Sequence, residues 1–516
     1  MKISRRDVTE LLITVGLIIA ILFSVSALEA QTVSAPGSDQ LSASDLTRGH
    51  PASAQRLMIS QSQIIEEQSR LIEELRQKLE GQIRRLETLE SQVAKMGGAS
   101  VDGRSSSYIK SDRQVPQRDL TNVADNLSGN PKKSEDPPSV PDKQPGIDPV
   151  QREYDLKFRN FGVNLYGFFY GQWTHDTNGN AGPSIIWASS DAAGRNFPAE
   201  TFVDVRSTRL GMNFISQRER AGWRSGGQLE ADFDTASGAP RIRHAFLRVE
   251  RGASGLIAGQ TWQVVSQLNP DTVNFANLLG LGNLYERTPQ VRFWRDLVSA
   301  DRGYLRLDVG GLVQHQDLGQ VVGGAGIRIP GNLNYQLRLS GEVASPWNSE
   351  RKVLLGVSGG VTRIAVADAS ERRGRIPHSV FAGELLIPFR HFALSGKSWA
   401  GKGIGFGTGA GQFAVVTAPG AFAAVPAHGG WAQVQTWFHL ARRDFTLNGF
   451  YGLDNPADVV ASVALPIRKN STVGGNLFVK LTEAFMFAPE VQYVRTERIT
   501  GTNSDFRSSV GFFYSW

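Results

Sequence analysis

Five arginines stand out by their spacing. Arg209, Arg243, Arg292, Arg306 and Arg338 each alternate with apolar neighbours: Leu210 and Met212 follow Arg209, Ile242 precedes Arg243, and Val291 and Phe293 flank Arg292. Leu305 and Leu307 flank Arg306 in the same way, as Leu337 and Leu339 flank Arg338. A guanidinium is planar, stays charged and offers two parallel N–H donors, so arginines turned towards water suit the weak holding of carboxylates and other small anions. Glu230 and Asp232 follow the same rhythm and are expected on a facing wall, where they would set a transverse field. The bland alternative is that these charges pair with one another and stiffen the structure.

Catalytic chemistry is poorly represented. Residues 356–360 (Gly-Val-Ser-Gly-Gly) spell the letters of a nucleophile elbow around Ser358, but inside an alternating segment without the strand–turn–helix context that exposes such a serine. The glycine-rich run 401–411 lacks the Gly-Lys-Ser/Thr ending of a phosphate loop and reads as a loop or a small-residue strand. The 8 His follow no metal-ligand spacing, and with Cys 0 there is no disulfide framework or thiolate site. No catalytic residue, metal, cofactor or nucleic-acid partner is expected.

The elements that must position the arginines are strands. From about residue 157 to 516 apolar and polar residues alternate: Leu210, Met212 and Phe214; Leu229 and Ala231; Leu333, Tyr335, Leu337 and Leu339; Val434, Thr436, Phe438 and Leu440. The other face is dense in charge and amide. Shared among 16 strands, this length gives roughly 22 residues per strand and connection, the rhythm of a membrane barrel. The chain ends on Val510, Phe512, Tyr514 and Trp516 at alternate positions, as a closing strand anchored by an aromatic at the lipid–water interface would. Trp173, Phe202, Trp294, Trp431, Trp437 and Trp516, near strand ends, are candidates for interface girdles. One segment breaks parity: Arg241 and Arg243 fall on one face, Arg248 and Glu250 on the other. A bulge, or a strand end at Arg248, reconciles them, with Arg243 inward. Over this region basic side chains exceed acidic ones by roughly nine, and Arg outnumbers Lys about five to one, which enriches anions in a narrow aqueous lumen.

Three segments precede the strands. Lys2, Arg5 and Arg6, the apolar run 11–23 and small residues around Ala27 and Ala30 read as a signal peptide over 1–30, with a retained anchor helix as the alternative. Residues 56–97 form a periplasmic coiled coil. Met58, Ile65, Ile72, Leu79, Leu86 and Val93 recur every seventh residue, with Gln61, Gln68, Leu75, Gln82, Leu89 and Met96 at the companion position. Glutamines there favour a hydrated, wider trimer over a tight dimer; a solvated single helix is the alternative. Residues 98–155, rich in Pro, Ser, Asp and Gln, read as a disordered polar linker. The fold class is therefore an all-β transmembrane barrel over 156–516, of 16 antiparallel strands, preceded by an N-terminal α-helical coiled coil.

Several segments resemble the DcaP-like family of trimeric outer-membrane porins. They are 205–211 (Val-Arg-Ser-Thr-Arg-Leu-Gly), 227–233 (Gly-Gln-Leu-Glu-Ala-Asp-Phe), 241–246 (Arg-Ile-Arg-His-Ala-Phe), 256–262 (Leu-Ile-Ala-Gly-Gln-Thr-Trp) and 289–293 (Pro-Gln-Val-Arg-Phe). Their order matches the first strands of that family, and the signal, coil, linker and aromatic terminus match its layout. The second half of the barrel matches only in general strand character. The resemblance implies a homotrimer in the Gram-negative outer membrane, its N-terminal segment in the periplasm, passing small anions such as dicarboxylates. It also implies that a long loop after the fifth strand, about residues 266–287, folds into the lumen. Phosphate-selective porins share the coil-and-barrel plan and are the nearest rival. Two other classes stand beside the channel: an outer-membrane hydrolase built on Ser358, and a tether joining the barrel to the periplasm or cell wall through the coil.

Overall fold

A computed structural model describes residues 156–157 and 161–516, apart from 180–181, 183, 192, 217–220, 236, 301–302, 314–319, 323–327, 330–332, 349–350, 405–410, 441–442 and 458–464. The expected signal peptide, coiled coil and linker lie outside the described residues.

Sixteen strands form the wall. They are β1 (Phe161–Asp176), β2 (Arg209–Ser216), β3 (Trp223–Asp232), β4 (Arg241–Arg251), β5 (Ser254–Trp262), β6 (Arg287–Ala300), β7 (Gly303–Val313) and β8 (Leu333–Ala344). The second half comprises β9 (Lys352–Ala367), β10 (Arg373–Pro388), β11 (Phe392–Lys402), β12 (Pro426–Leu440), β13 (Arg443–Pro456), β14 (Ile467–Lys480), β15 (Phe485–Arg498) and β16 (Gly501–Ser515). Each pairs antiparallel with its neighbour in the chain, and β16 returns to β1 from Phe168↔Ser515 to Asp176↔Arg507. Closure leaves no sheet edge, so the backbone is satisfied without water, as a span through hydrocarbon requires. Among the described residues no helix is long and apolar enough to cross a membrane, which says nothing of crossing by strands.

Alternation sorts the two faces. Along β8, Tyr335 is 62% exposed and Leu337 50%, while Gln336 and Arg338 between and beside them are buried. The exposed set recurs around the barrel in Met212, Leu247, Val291, Val434, Leu447 and Val491. In water such a belt would drive aggregation, whereas in a bilayer it meets its matching solvent. The longest connections follow odd-numbered strands, as at 177–208, 263–286 and 403–425, and every even-numbered strand up to β14 is followed by a short one, as at 252–253, 389–391 and 481–484. In barrels of this type the short-turn end faces the periplasm.

The parity conflict in β4 is resolved by a bulge. Glu230 pairs with His244 and Ala231 with Ile242, so Arg243 is the extra residue. Arg241, Arg243, Arg248 and Glu250 all end on the inner side as a result. The girdle expectation is corrected at four positions. Trp173 and Trp516 are exposed on the outer face. Trp294 and Trp431 are buried inside, Phe202 lies under Arg507, and Trp437 under Arg351. Position near a strand end does not fix the face; register does. Nothing in the sequence announced a small sheet of Gln320–Val322, Gln412–Ala418 and Ala421–Ala424 at the long-loop end. Its Val321, Phe413, Ala414 and Ala424 pack on Ile364, Val366 and Ile376 of the wall.

Candidate functional site

The interior is organised by residues 263–286, the connection after β5. This inward loop is the one the family resemblance implied. Its N–H groups would be unsatisfied against an apolar wall, and inward side chains take them strand by strand. Gln336 on β8 accepts from Val264 and Val265 at 2.9 and 3.0 Å. Ser358 on β9 accepts from Ser266 at 3.1 Å, and Glu384 on β10 from Leu268 at 2.7 Å. Gln433 on β12 accepts from Asp271 at 3.1 Å, and Glu490 on β15 from Val273 and Asn274 at 2.7 and 3.0 Å. The loop therefore runs around the inside of the wall from β8 to β15.

At the far end Phe275 meets Tyr170, Phe168 and Phe513 of β1 and β16, and Tyr170 donates to the Val273 carbonyl at 2.9 Å. On the return, Asn470 donates to the Gly280 carbonyl and Trp399 to that of Gly282. Lys397 donates to the carbonyls of Ser266 and Leu284 and to Asn283 Oδ1. Backbone meets backbone here: a Cβ on Gly452 would lie 2.0 Å from the Leu281 carbonyl oxygen, and one on Gly282 2.1 Å from that of Gly430. Leu278 holds φ at 60°, a strained value for a bulky residue, and is buried with Leu268, Leu281, Trp431 and Phe450.

The arginines occupy the other arc. Arg243 donates to Glu230 at 2.7 Å and to Asp232 at 2.8 Å. Arg241 forks onto Asp232 at 2.9 and 2.8 Å and reaches Asp234 at 3.0 Å. Arg209 stands 3.8 Å from Glu230 and lies over the rings of Phe168 and Phe275. The structure thus gathers Arg209, Arg243, Glu230 and Asp232 into one cluster. The two carboxylates are not on a facing wall; β3 lies between β2 and β4, so same-face neighbours on adjacent strands meet directly.

Arg292, Arg306 and Arg338 stand apart on β6, β7 and β8. Arg306 pairs with Asp296 at 2.6 Å, and Arg338 with Glu384 at 2.8 Å and Ser340 at 2.9 Å. Arg292 is fully buried, and its Nε and Nη1 have no hydrogen-bond partner among the described residues. All five expected arginines are buried, from 1% exposure at Arg292 to 7% at Arg306. Arg241, whose side chain is 35% exposed, and Arg287, half-buried over the Trp262 ring at 4.6 Å, do reach water. Arg287, Lys397, Glu384 and Glu490 were missed in sequence. Strand parity places the last three inward, but nothing local marks a wall side chain as a loop anchor.

Ser358 lies mid-strand with its hydroxyl engaged by the loop, so the elbow-like letters mark an anchor point. Among the described residues no group of His, Asp or Glu is arranged to hold a metal.

No family model matches the chain, and no curated protein matches it. Solved structures do. The chain is similar to the outer-membrane channel DcaP of Acinetobacter baumannii at 18% identity and a TM-score of 0.54, over 70% of this chain and 100% of that one. It also matches an anion-selective porin from Comamonas acidovorans at 10% identity and a TM-score of 0.45, over 69% and 100%. The architecture is that of an outer-membrane porin, a membrane-spanning barrel of the Gram-negative outer-membrane type. The DcaP-like resemblance read in the sequence is supported at the level of fold.

Proposed function

We propose that the protein is a passive diffusion channel of the outer membrane that prefers small anions, with dicarboxylates as the favoured class. The observation that carries this reading is the surplus of arginine on the arc facing the inward loop. Arg209, Arg241 and Arg243 surround Glu230 and Asp232, and Arg287 and Arg292 extend the positive arc along β6. With Asp234, the carboxylates equal Arg209, Arg241 and Arg243 in number and fix them in place, so the surplus rests on Arg287 and Arg292. A positive surplus beside a low-dielectric wall concentrates anions at the narrowed passage. Arg241 and Arg287 reach water and supply weak, exchangeable contacts, which conduction needs because tight binding would block flux.

In this reading the channel is a homotrimer, and the segment before the barrel stays in the periplasm, where its coil can also touch the cell wall. Liposomes carrying the purified full-length protein test the function. Succinate should enter faster than a neutral solute of the same size, and Arg241→Ala with Arg287→Ala should abolish the preference. Equal entry of charged and neutral solutes into wild-type liposomes would sink the anion reading. Chemical cross-linking of the full chain should yield a three-chain product, and a monomer as the sole product would remove the trimer.

A further inference from the structure

The outer face of β9–β11 carries charge where the rest of the belt carries apolar side chains. On β9 the outward Val361 is 58% exposed and pairs with the outward Tyr335. Two residues further towards the long-loop end stands Arg363, exposed on the same side. Along β10, Arg373 and Arg375 are exposed, whereas Ile376 and His378 on the opposite parity are buried. At the end of β11, Lys402 is exposed and pairs with Ser379.

Register sets their spacing. Arg373 and Arg375 lie on one face two residues apart, roughly 7 Å. Arg375 pairs with Ala365, so Arg363 is its diagonal neighbour at roughly 7–8 Å. Lys402, on the next strand, stands lower, level with Val361 and Ser379. The side chains of Arg373, Arg375 and Lys402 make no hydrogen bond or ion pair to a described residue. The nearby acids do not neutralise Arg373 and Arg375. Asp368 is taken by Arg372 at 2.8 Å and by the N–H groups of Ser370 and Gly420. Glu371 remains, at the turn tip. On β15, by contrast, the outward Arg495 is paired with Glu497 at 3.3 Å.

Guanidinium groups on the outward face of a barrel cannot rest in hydrocarbon, so this level lies among head groups. The face continues downward into Val361, Leu337 and Leu385, a shelf for acyl chains. We propose that Arg363, Arg373 and Arg375 bind the phosphate of a lipid head group in the outer leaflet, with the acyl chains lying on the apolar face below. Planar forks at this spacing match the several oxygens of a phosphate ester. The apolar shelf favours a membrane lipid over free phosphate.

The test uses the full chain purified in detergent, with diphosphorylated lipid A added and bound lipid read by native mass spectrometry. Wild type should retain the lipid. A variant carrying Arg363→Gln, Arg373→Gln and Arg375→Gln should lose it with a roughly tenfold weaker affinity, while Arg495→Gln retains it. Heat-modifiable migration on gels verifies folding of each variant, and Arg373→Gln alone, expected to weaken binding severalfold, serves if the triple variant does not fold. Undiminished lipid in the folded variants would overturn the proposal. So would equal loss in Arg495→Gln, or displacement of the lipid by millimolar inorganic phosphate, which would mark a free-anion site. Dissociation of the oligomer in the triple variant with lipid binding unchanged would assign the patch to a protomer contact instead.

Discussion

The two arcs of the inner wall are built from different chemistry. From β8 to β15 the inward groups that grip the loop backbone include Gln336, Ser358, Glu384, Gln433, Asn470 and Glu490, mostly neutral, together with the cationic Lys397. From β2 to β6 the inward groups are Arg209, Arg241, Arg243, Arg287 and Arg292, with too few carboxylates to neutralise them. Amides and carboxylates serve a holding arc because a peptide N–H needs an acceptor. Arginine serves the facing arc because it keeps its charge and cannot accept a bond from the loop. Under the proposed function, structure-holding and solute selection fall to separate side chains, and each can be perturbed alone.

The largest effect is expected where the arcs meet. Arg338→Ala strips the buried Glu384 of its guanidinium and should cost about 3–5 kcal/mol, read as a lower temperature for conversion to the unfolded gel form. An unchanged transition would mean that Lys397 alone suffices to balance that carboxylate. Next comes the loop. Glu490→Ala removes the acceptor of two loop N–H groups and of Asn476 Nδ2, at about 1–3 kcal/mol for each donor left unpaired. Protease should then cut within 263–286, and single-channel current should become larger and noisier with ion preference kept. A quiet channel of wild-type size would show that the loop does not depend on this anchor.

The facing arc should respond in the opposite sense. Arg241→Ala with Arg287→Ala should lower the chloride-over-potassium permeability ratio roughly threefold while the folded barrel stays intact. Raising salt from 0.1 M to 1 M shortens the screening length from about 10 Å to about 3 Å, so wild-type selectivity should fall towards that of bulk solution. Selectivity insensitive to salt would place its origin in pore width. The smallest effect is expected at the short-turn end, where Lys480 pairs with the exposed Glu483 at 2.7 Å. Lys480→Ala should change stability by less than about 1 kcal/mol.

How much of this was legible in the sequence follows from which cues are local. Period-two alternation, such as Leu333 to Leu339 against Asn334 to Arg338, is set by the pleat and announced both the strands and the lumen-side arginines. The impossible parity of Arg241 to Glu250 announced a bulge, because charge cannot face lipid at mid-depth. The position of Glu230 and Asp232 was misread because parity reveals the face of a strand and says nothing of which strands are neighbours across the lumen. Trp294 and Trp437 were misread for the related reason that proximity to a strand end does not fix the side. The loop anchors Glu384, Lys397 and Glu490 were invisible, since their partners are backbone groups more than 100 residues away. The small sheet joining Gln320–Val322 to Gln412–Ala418 is a pairing of the same long-range kind.

The division of labour between the arcs is tested most directly by the reversal potential of the purified full-length protein in a planar bilayer under a KCl gradient. A potential of the sign set by chloride, reduced in the Arg241→Ala, Arg287→Ala variant and kept in Glu490→Ala, is the expected result. A cation-selective potential, or a folded barrel that passes no current, would contradict it.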